Sequence, residues 1–149
     1  MKLSAKWQQM MDYIGLTDAD TTLLHGKTAE FDKIADAVTD ELYRRVTARP
    51  ELKAIIERHS TIDRLKQTQR AYFMSMCTQK IDDAYIEHRM RVGRIHSRIG
   101  LTTHWYLGTY MIYLDLAVAH LRQVCPDDWM DVTLALSKMF NLDSQIVLE

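Results

Sequence analysis

The chain has 149 residues and a formal net charge of −1, and hydrophobic residues make up 47% of it. This length and composition are typical of one globular domain with a sizeable core, and the near-neutral charge excludes the basic field that nucleic-acid binding needs. The two cysteines, Cys77 and Cys125, lie 48 residues apart without a CxxC pair, which excludes a zinc site or a disulfide framework and fits a cytoplasmic protein.

Helices are predicted along the whole chain. Glycine and proline are scarce, with five and two residues, and apolar residues recur at three- and four-residue steps. No stretch is long and apolar enough for a signal peptide or a membrane span. The predicted helices cover residues 4–14, 18–25, 28–48 and 50–58, then a helix capped by Ser60, then residues 80–99, 102–124 and 127–148. The sequence therefore predicts one all-α domain over residues 1–149.

The helix predicted over residues 28–48 has one strongly apolar face. Tyr43 lies on the flank of that face, about 100° around the helix from Leu42. A tyrosine at such an edge usually buries its ring and directs its hydroxyl to backbone or water, and this structural role stays open for Tyr43. The next long helix is predicted to face the core with Ile62, Leu65, Gln69, Tyr72, Phe73 and Met76.

The helix predicted over residues 80–99 carries two histidines on its inner face and ends at Gly100. The residues predicted to face inward are Ile81, Ala84, Tyr85, His88, Val92, Ile95, His96 and Ile99. The opposite side is basic, and we expect it to be solvated. Its arginines are Arg89, Arg91, Arg94 and Arg98.

The last two predicted helices carry more apolar surface than one core needs. Residues 102–124 are apolar on most of their circumference, although Asp115 and His120 interrupt the run. Pro126 opens the helix over residues 127–148, with two aspartates in its first turn. This surplus predicts a partner surface. One face of these helices must pack on the core, so part of the surplus is open to that role instead. The apolar residues of the two helices are Trp105, Leu107, Met111, Ile112, Leu114, Leu116, Val118, Leu121, Trp129, Val132, Leu136, Phe140 and Val147.

Histidines are the informative residues, because most catalytic signatures are absent. The sequence has no glycine-rich phosphate loop, no HExxH and no GxSxG motif. His88 and His96 share a face but lie about 12 Å apart along the helix, so they cannot bind one metal ion together. A single imidazole in an apolar pocket suits haem iron, whose in-plane ligands come with the porphyrin. A core histidine without a ligand remains the alternative.

The stretch RIHSRIGLTTHWYLGTY resembles the region around the proximal histidine in globin-coupled sensors, the bacterial haem-based oxygen sensors with a globin fold. The likeness covers nearly the whole chain, including an extra helix ahead of the globin core. Tyr43 is followed by Leu65 after 22 residues and by Thr68 three residues later. His96 comes 31 residues after Leu65, and Tyr106 ten residues after His96. The family has the same residue types at this spacing.

This resemblance implies a globin-like fold, a haem b cofactor and a set of roles. His96 is expected to be the proximal iron ligand, with Tyr106 close to it. On the distal side, Tyr43 is expected to donate a hydrogen bond to O2. Leu65 is expected to act as a gate that limits water entry, and Thr68 to hold Tyr43 or a water molecule in place. CO and NO are expected as further ligands.

The resemblance also implies an assembly and an output. Family members generally join the globin domain to an output module, so we expect residues 1–149 to be the N-terminal part of a longer signalling protein. A diguanylate cyclase is the favoured output, ahead of a histidine kinase or a chemotaxis domain. A homodimer is expected through residues 102–124 and 127–148, helices G and H of a globin. The alternatives are a stand-alone oxygen-binding or redox globin and a helical interaction domain without a cofactor.

Overall fold

Eight α-helices and no strand make up the part of the chain that the computed structural model describes, residues 4–149. This confirms the predicted all-α class. The helices are α1 (Ala5–Ile14), α2 (Asp18–His25), α3 (Thr28–Thr47), α4 (Pro50–His59), α5 (Ile62–Thr78), α6 (Asp83–Ile99), α7 (Thr103–Val124) and α8 (Trp129–Val147). No helix within residues 4–149 combines the length and the apolar character that crossing a membrane requires.

Two helix starts differ from the prediction because another side chain provides the cap. The cap of α5 is Thr61 and not Ser60, since the Thr61 hydroxyl accepts a hydrogen bond from the Arg64 amide at 3.2 Å. Helix α6 begins at Asp83 rather than at residue 80. The Asp82 carboxylate accepts from the Tyr85 amide at 3.0 Å and so fixes the first turn.

The end of α6 and the start of α8 are also set locally. Gly100 ends α6 in the left-handed region, with φ of 85°, a conformation that glycine adopts without strain. Helix α8 begins at Trp129, so the Asp127 and Asp128 predicted for its first turn precede it. Asp128 instead forms an ion pair with Lys27 at 2.7 Å.

The core lies where α3, α5 and α7 pack on each other. Phe31 of α3 stacks on Phe73 of α5 with ring centroids 4.7 Å apart, and Phe73 stacks on Tyr113 of α7 at 5.7 Å. All three side chains are buried. Aromatic pairs of this kind add about 0.5–1.5 kcal/mol each beyond the burial of their area. They join α3, α5 and α7, while α8 packs on α7, α6, α2 and α1.

Part of the predicted partner surface belongs to this chain's own core. Leu121 of α7 and Val132, Leu136 and Phe140 of α8 are buried, because α8 packs at once on α2, α6 and α7. These four residues are therefore ordinary core, the role that the sequence left open for part of the surplus. Four large apolar side chains of α7 and α8 stay exposed: Leu107, Met111, Met130 and Leu134. Leu148, just beyond α8, is also exposed.

Helices α6 and α8 approach so closely that one position admits only glycine. A Cβ atom on Gly93 would lie 2.4 Å from the carbonyl oxygen of Val147. One turn earlier on both helices, the guanidinium Nε of Arg89 lies 3.5 Å from a carboxylate oxygen of Asp143. Helix α6 is therefore held to α8 by two contacts, one between backbones and one between charges.

We predict that Gly93→Ala lowers the free energy of unfolding by about 1–3 kcal/mol, because backbone atoms of α8 must move to admit the methyl group. Urea unfolding measures this change. The matched control is Gly108→Ala in α7, where a Cβ would meet no atom within 4 Å. That variant should be neutral or gain about 0.5–1 kcal/mol. Equal losses in both variants would contradict the close contact.

Candidate functional site

A cavity of about 630 Å³ lies between α5 and α6 and is lined mainly by apolar side chains. Its volume is within the range of sites that hold small ligands and cofactors. Helices α3, α4 and α7 complete the wall. The apolar lining includes Leu42, Val46, Leu52, Ile55, Ile56, Leu65, Val92, Ile95, Ile99 and Leu101. All five residues predicted to form the site, Tyr43, Leu65, Thr68, His96 and Tyr106, line this one cavity.

His96 contributes an imidazole from α6 to the cavity wall. Among the described residues, its buried Nδ1 atom has no hydrogen-bond partner. The backbone carbonyl one turn earlier does not accept a hydrogen bond from it. The ring instead packs on Tyr106, with ring centroids 4.9 Å apart and planes inclined by 53°. Burial lowers the pKa of His96, which favours the neutral imidazole that a metal ligand must be.

His88 differs from His96 in its surroundings, although both lie on α6. Its side chain is mostly exposed, and its Nδ1 atom lies 3.1 Å from a guanidinium nitrogen of Arg89. Burial lowers the pKa of His88, and the charges of Arg89 and Arg91 lower it further. Both imidazoles line the cavity, but only that of His96 combines burial with an Nδ1 atom that has no hydrogen-bond partner among the described residues.

Tyr43 is buried in α3, and its hydroxyl stays protonated at neutral pH. Burial raises the pKa of Tyr43 far above its usual value, and a hydrogen bond with the Gln69 side chain opposes the rise only in part. Gln69 also lines the cavity. It was predicted only as a core residue, so sequence reasoning missed its place beside Tyr43. An amide on an otherwise apolar helix face was the available signal.

Leu65 and Thr68 come from one face of α5. Leu65 is half-buried and presents an aliphatic side chain to the cavity. The hydroxyl of Thr68 donates to the backbone carbonyl of Arg64 at 3.0 Å, one turn earlier in the same helix. The structure thus gives Thr68 a bond to its own helix and none to Tyr43, which was one of the two partners expected for it.

A chain of tyrosine hydroxyls runs from beside His96 into the interior. The hydroxyl oxygens of Tyr106 and Tyr110 are 2.6 Å apart, and those of Tyr110 and Tyr72 are 3.3 Å apart. Tyr72 donates to the carboxylate of Asp143 at 2.5 Å. Three helices, α7, α5 and α8, contribute to this chain. We call Tyr106, Tyr110, Tyr72 and Asp143 the tyrosine chain.

Arg89 completes the buried end of this cluster, which corrects the expectation that it lies on a solvated basic face. Its side chain is 2% exposed and pairs with Asp143, which is 0% exposed. The guanidinium also donates to Gln79 at 2.8 Å and lies over the ring of Tyr85 at 3.7 Å. The hydroxyl of Tyr85 donates to the second oxygen of Asp143. Burial raises the pKa of Asp143, and Arg89 and the two tyrosine hydroxyls oppose that rise only in part.

The cluster around Asp143 was missed in the sequence, although each residue left a weak signal. Asp143 interrupts the apolar face of α8 between Phe140 and Ile146, both of them buried. Arg89 follows the buried Tyr85 by four residues, so the two share a face of α6. Arg89 stands among other arginines, however, and a basic run is usually a solvated surface. In both helices, a charged residue on an otherwise apolar face was the pattern that indicated a buried charge.

The residues present fit an iron porphyrin. The cavity is large and mainly apolar, and its wall holds the His96 imidazole, whose buried Nδ1 atom has no hydrogen-bond partner among the described residues. Within residues 4–149, no group of three or more His, Cys, Asp and Glu side chains could hold a bare metal ion. A metal bound by His96 therefore needs further ligands that arrive with it, as the nitrogens of a porphyrin do.

Comparison with known proteins gives matches over almost the full length. The family model described as Protoglobin matches residues 3–149. The heme-based aerotactic transducer HemAT of Halobacterium salinarum is 27% identical over 93% of this chain. The chain spans only 31% of the length of that relative.

A solved structure gives the same result for the backbone. The globin domain of a globin-coupled sensor from Geobacter sulfurreducens superposes with a TM-score of 0.86, over 95% of this chain and 94% of that one. The two sequences are 21% identical, so this likeness concerns the fold alone. It confirms the globin-like fold that the sequence resemblance implied.

Proposed function

The chain belongs to the protoglobin family, and on this premise we propose that it is a haem-based sensor domain that binds O2 at the iron of haem b. The observation that carries the proposal is the placement of His96 and Tyr43 around one apolar cavity. The first offers a neutral imidazole and the second a hydroxyl that keeps its proton. Absorption spectroscopy of the protein mixed with haem tests the proposal, and the absence of a Soret band would end it.

The roles of the cavity residues follow from their chemistry. Haem iron, when bound, supplies the point at which a diatomic gas coordinates, and His96 would hold it through Nε2. Tyr43 would donate a hydrogen bond to O2, because O2 becomes more polar on binding than CO does. Such a buried bond contributes about 1–3 kcal/mol, which corresponds to roughly 5- to 150-fold in affinity. Tyr43 would thus be the residue that discriminates between O2 and CO.

Leu65 and Thr68 would shape the distal side of the cavity. Leu65 offers bulk and no polar atom, so it would limit the entry of water. Because the Thr68 hydroxyl already donates to its own helix, its oxygen is left as an acceptor toward the cavity side. Thr68 would therefore hold a water molecule more readily than it would hold Tyr43. CO and NO would bind at the same place as O2.

The signalling role is the part of the proposal that depends on sequence outside this chain. We propose that the domain regulates an output module, and a diguanylate cyclase is the output that the sequence resemblance favours. The Halobacterium relative is an aerotactic transducer, which favours a chemotaxis output instead. A stand-alone oxygen-binding globin is the alternative. The length and ending of the native reading frame distinguish the three.

We also propose a homodimer through α7 and α8. Leu107 and Met111 of α7 and Leu134 of α8 leave 41%, 65% and 56% of their surface exposed, which is unusual for large apolar side chains on helices. A two-fold axis through these helices would bury them in a four-helix arrangement. The family resemblance supports the same assembly.

We predict that His96→Ala abolishes stable haem binding, because His88, the other imidazole that lines the cavity, is mostly exposed and has its Nδ1 atom beside Arg89. The matched control is His88→Ala, two turns earlier on α6, which should keep the Soret band. Both variants are titrated with haem under identical conditions. A normal spectrum for the His96 variant together with loss of binding in the His88 variant would move the ligand to His88.

We predict that Tyr43→Phe raises the dissociation rate of O2 by about tenfold or more and that of CO by much less. The ring remains, so only the hydrogen bond to the more polar ligand is lost. Flash photolysis and stopped-flow mixing measure the two rates. Equal changes for both gases would indicate a steric effect and remove the hydrogen bond from the account.

We predict that the protein sediments as a dimer of the 17.4 kDa chain at micromolar concentration. Met111→Glu combined with Leu134→Glu should shift it toward the monomer, because both carboxylates would be buried without a partner. Tyr13→Glu is the control, since Tyr13 is 87% exposed on α1, away from α7. A wild-type protein that sediments as a monomer would refute the assembly.

A further inference from the structure

We propose that Tyr72 is a redox-active residue that returns an electron to bound haem after reaction with a hydroperoxide, while Asp143 takes up the phenolic proton. The inference rests on the proposed function, because it requires haem in the cavity. It adds an activity to that function, since the domain would reduce a peroxide and confine the resulting radical to one side chain. Two features of Tyr72 support it, its place in the cavity wall and its bond to a carboxylate.

The first step is that Tyr72 combines two properties that the other tyrosines have separately or not at all. The tyrosines that line the cavity are Tyr43, Tyr72, Tyr106, Tyr110 and Tyr113. Within residues 4–149, Tyr72 is the one member of this set whose hydroxyl bonds to a carboxylate, that of Asp143 at 2.5 Å. The partners of the other hydroxyls are neutral side chains or a backbone carbonyl. Tyr85 also bonds to Asp143, but it lies outside the cavity wall.

The carboxylate matters because a phenol does not readily lose an electron alone. Removal of an electron makes the phenol a strong acid, so the electron leaves easily only if a base takes the proton in the same step. The Tyr72 hydroxyl has one proton, and the Asp143 oxygen at 2.5 Å is nearer to it than the Tyr110 oxygen at 3.3 Å. That proton is therefore directed at Asp143, within the reach of a base in a hydrogen bond.

Asp143 is suited to accept this proton and to keep it. Its side chain is 0% exposed, and burial raises its pKa, which Arg89 and the two tyrosine hydroxyls offset only in part. A buried carboxylate with a raised pKa binds a proton more tightly than one in water. Because Asp143 is closed to solvent, the proton stays beside the radical and returns when Tyr72 is reduced again.

Electrons and protons balance in this sequence. A hydroperoxide becomes an alcohol and water, or two waters from hydrogen peroxide, when its O–O bond breaks with uptake of two electrons and two protons. Both electrons come from the haem, and both protons come from water. Tyr72 returns one electron, its O–H bond breaks, and the proton forms a new O–H bond with Asp143. A small reductant such as a thiol supplies the other electron and then restores the Tyr72 hydroxyl.

The test compares two tyrosines that donate to the same carboxylate. Tyr72→Phe removes the hydroxyl at the cavity wall, whereas Tyr85→Phe removes a donor of Asp143 outside that wall. Both changes keep the ring and delete one hydroxyl, so their effects on the buried cluster are matched. Haem-loaded protein is mixed with hydrogen peroxide and frozen rapidly for electron paramagnetic resonance, and the bleaching of the Soret band is followed in parallel.

We expect a tyrosyl radical signal in wild-type protein and in Tyr85→Phe, and loss of this signal in Tyr72→Phe. Peroxide should bleach the Soret band faster in Tyr72→Phe alone, because the haem then receives no electron from this side chain. In D2O the wild-type radical should form more slowly, because the O–H bond of Tyr72 breaks in the same step. Urea unfolding of the two variants reports any loss of stability separately.

Three outcomes would overturn the proposal. An unchanged radical signal in Tyr72→Phe would place the radical on another residue. Equal loss of the signal in Tyr85→Phe would mean that both hydroxyls act only through the fold. A normal Soret band without a tyrosyl radical in wild-type protein would exclude the redox role while leaving haem binding in place. A missing Soret band differs from all three, since it would refute the proposed function and the redox role together.

Discussion

A buried charge must have a partner, and in this protein that requirement organises three helices. Arg89 and Asp143 are both inaccessible to water, so each would destabilise the fold by several kcal/mol if the other were missing. Neither is satisfied by the other alone. Tyr72 and Tyr85 donate hydrogen bonds to the carboxylate, and a terminal nitrogen of the guanidinium donates to Gln79, although its Nε atom has no hydrogen-bond partner among the described residues. These polar contacts join α5, α6 and α8 in one register. Directional hydrogen bonds specify that register more strictly than apolar contacts would.

The predicted elements agree with the structure because helical periodicity and glycine placement act locally. The ends of α1 and α6 at Gly15 and Gly100 were expected from the sequence, and both glycines adopt left-handed backbone conformations. The starts of α5 and α6 were not placed correctly, since several neighbouring residues could cap each helix. Only the geometry of the turn decides that Thr61 is chosen over Ser60.

The sequence predicted residues that line the candidate site, but it did not predict the buried residues behind them. The spacing of Tyr43 and His96 carried a family resemblance, and the two residues do line one cavity. Asp143 could not be found in the same way. A helical pattern tells which residues share a face, but it does not tell which helices meet there. The pairing of Arg89 with Asp143 depends on how α6 crosses α8, which is a property of the tertiary fold.

The contact of Gly93 with Val147 has a mechanical consequence. A side chain at a helix crossing can change rotamer and so absorb a small displacement, whereas two touching backbones have no such freedom. His96 lies three residues beyond this point, about 4.5 Å along the axis. A push on the imidazole would therefore meet a fixed contact close by, and α6 would tilt about it more easily than it would move into α8. On its other side α6 lines the cavity together with α5, so such a tilt would change the width of that cavity.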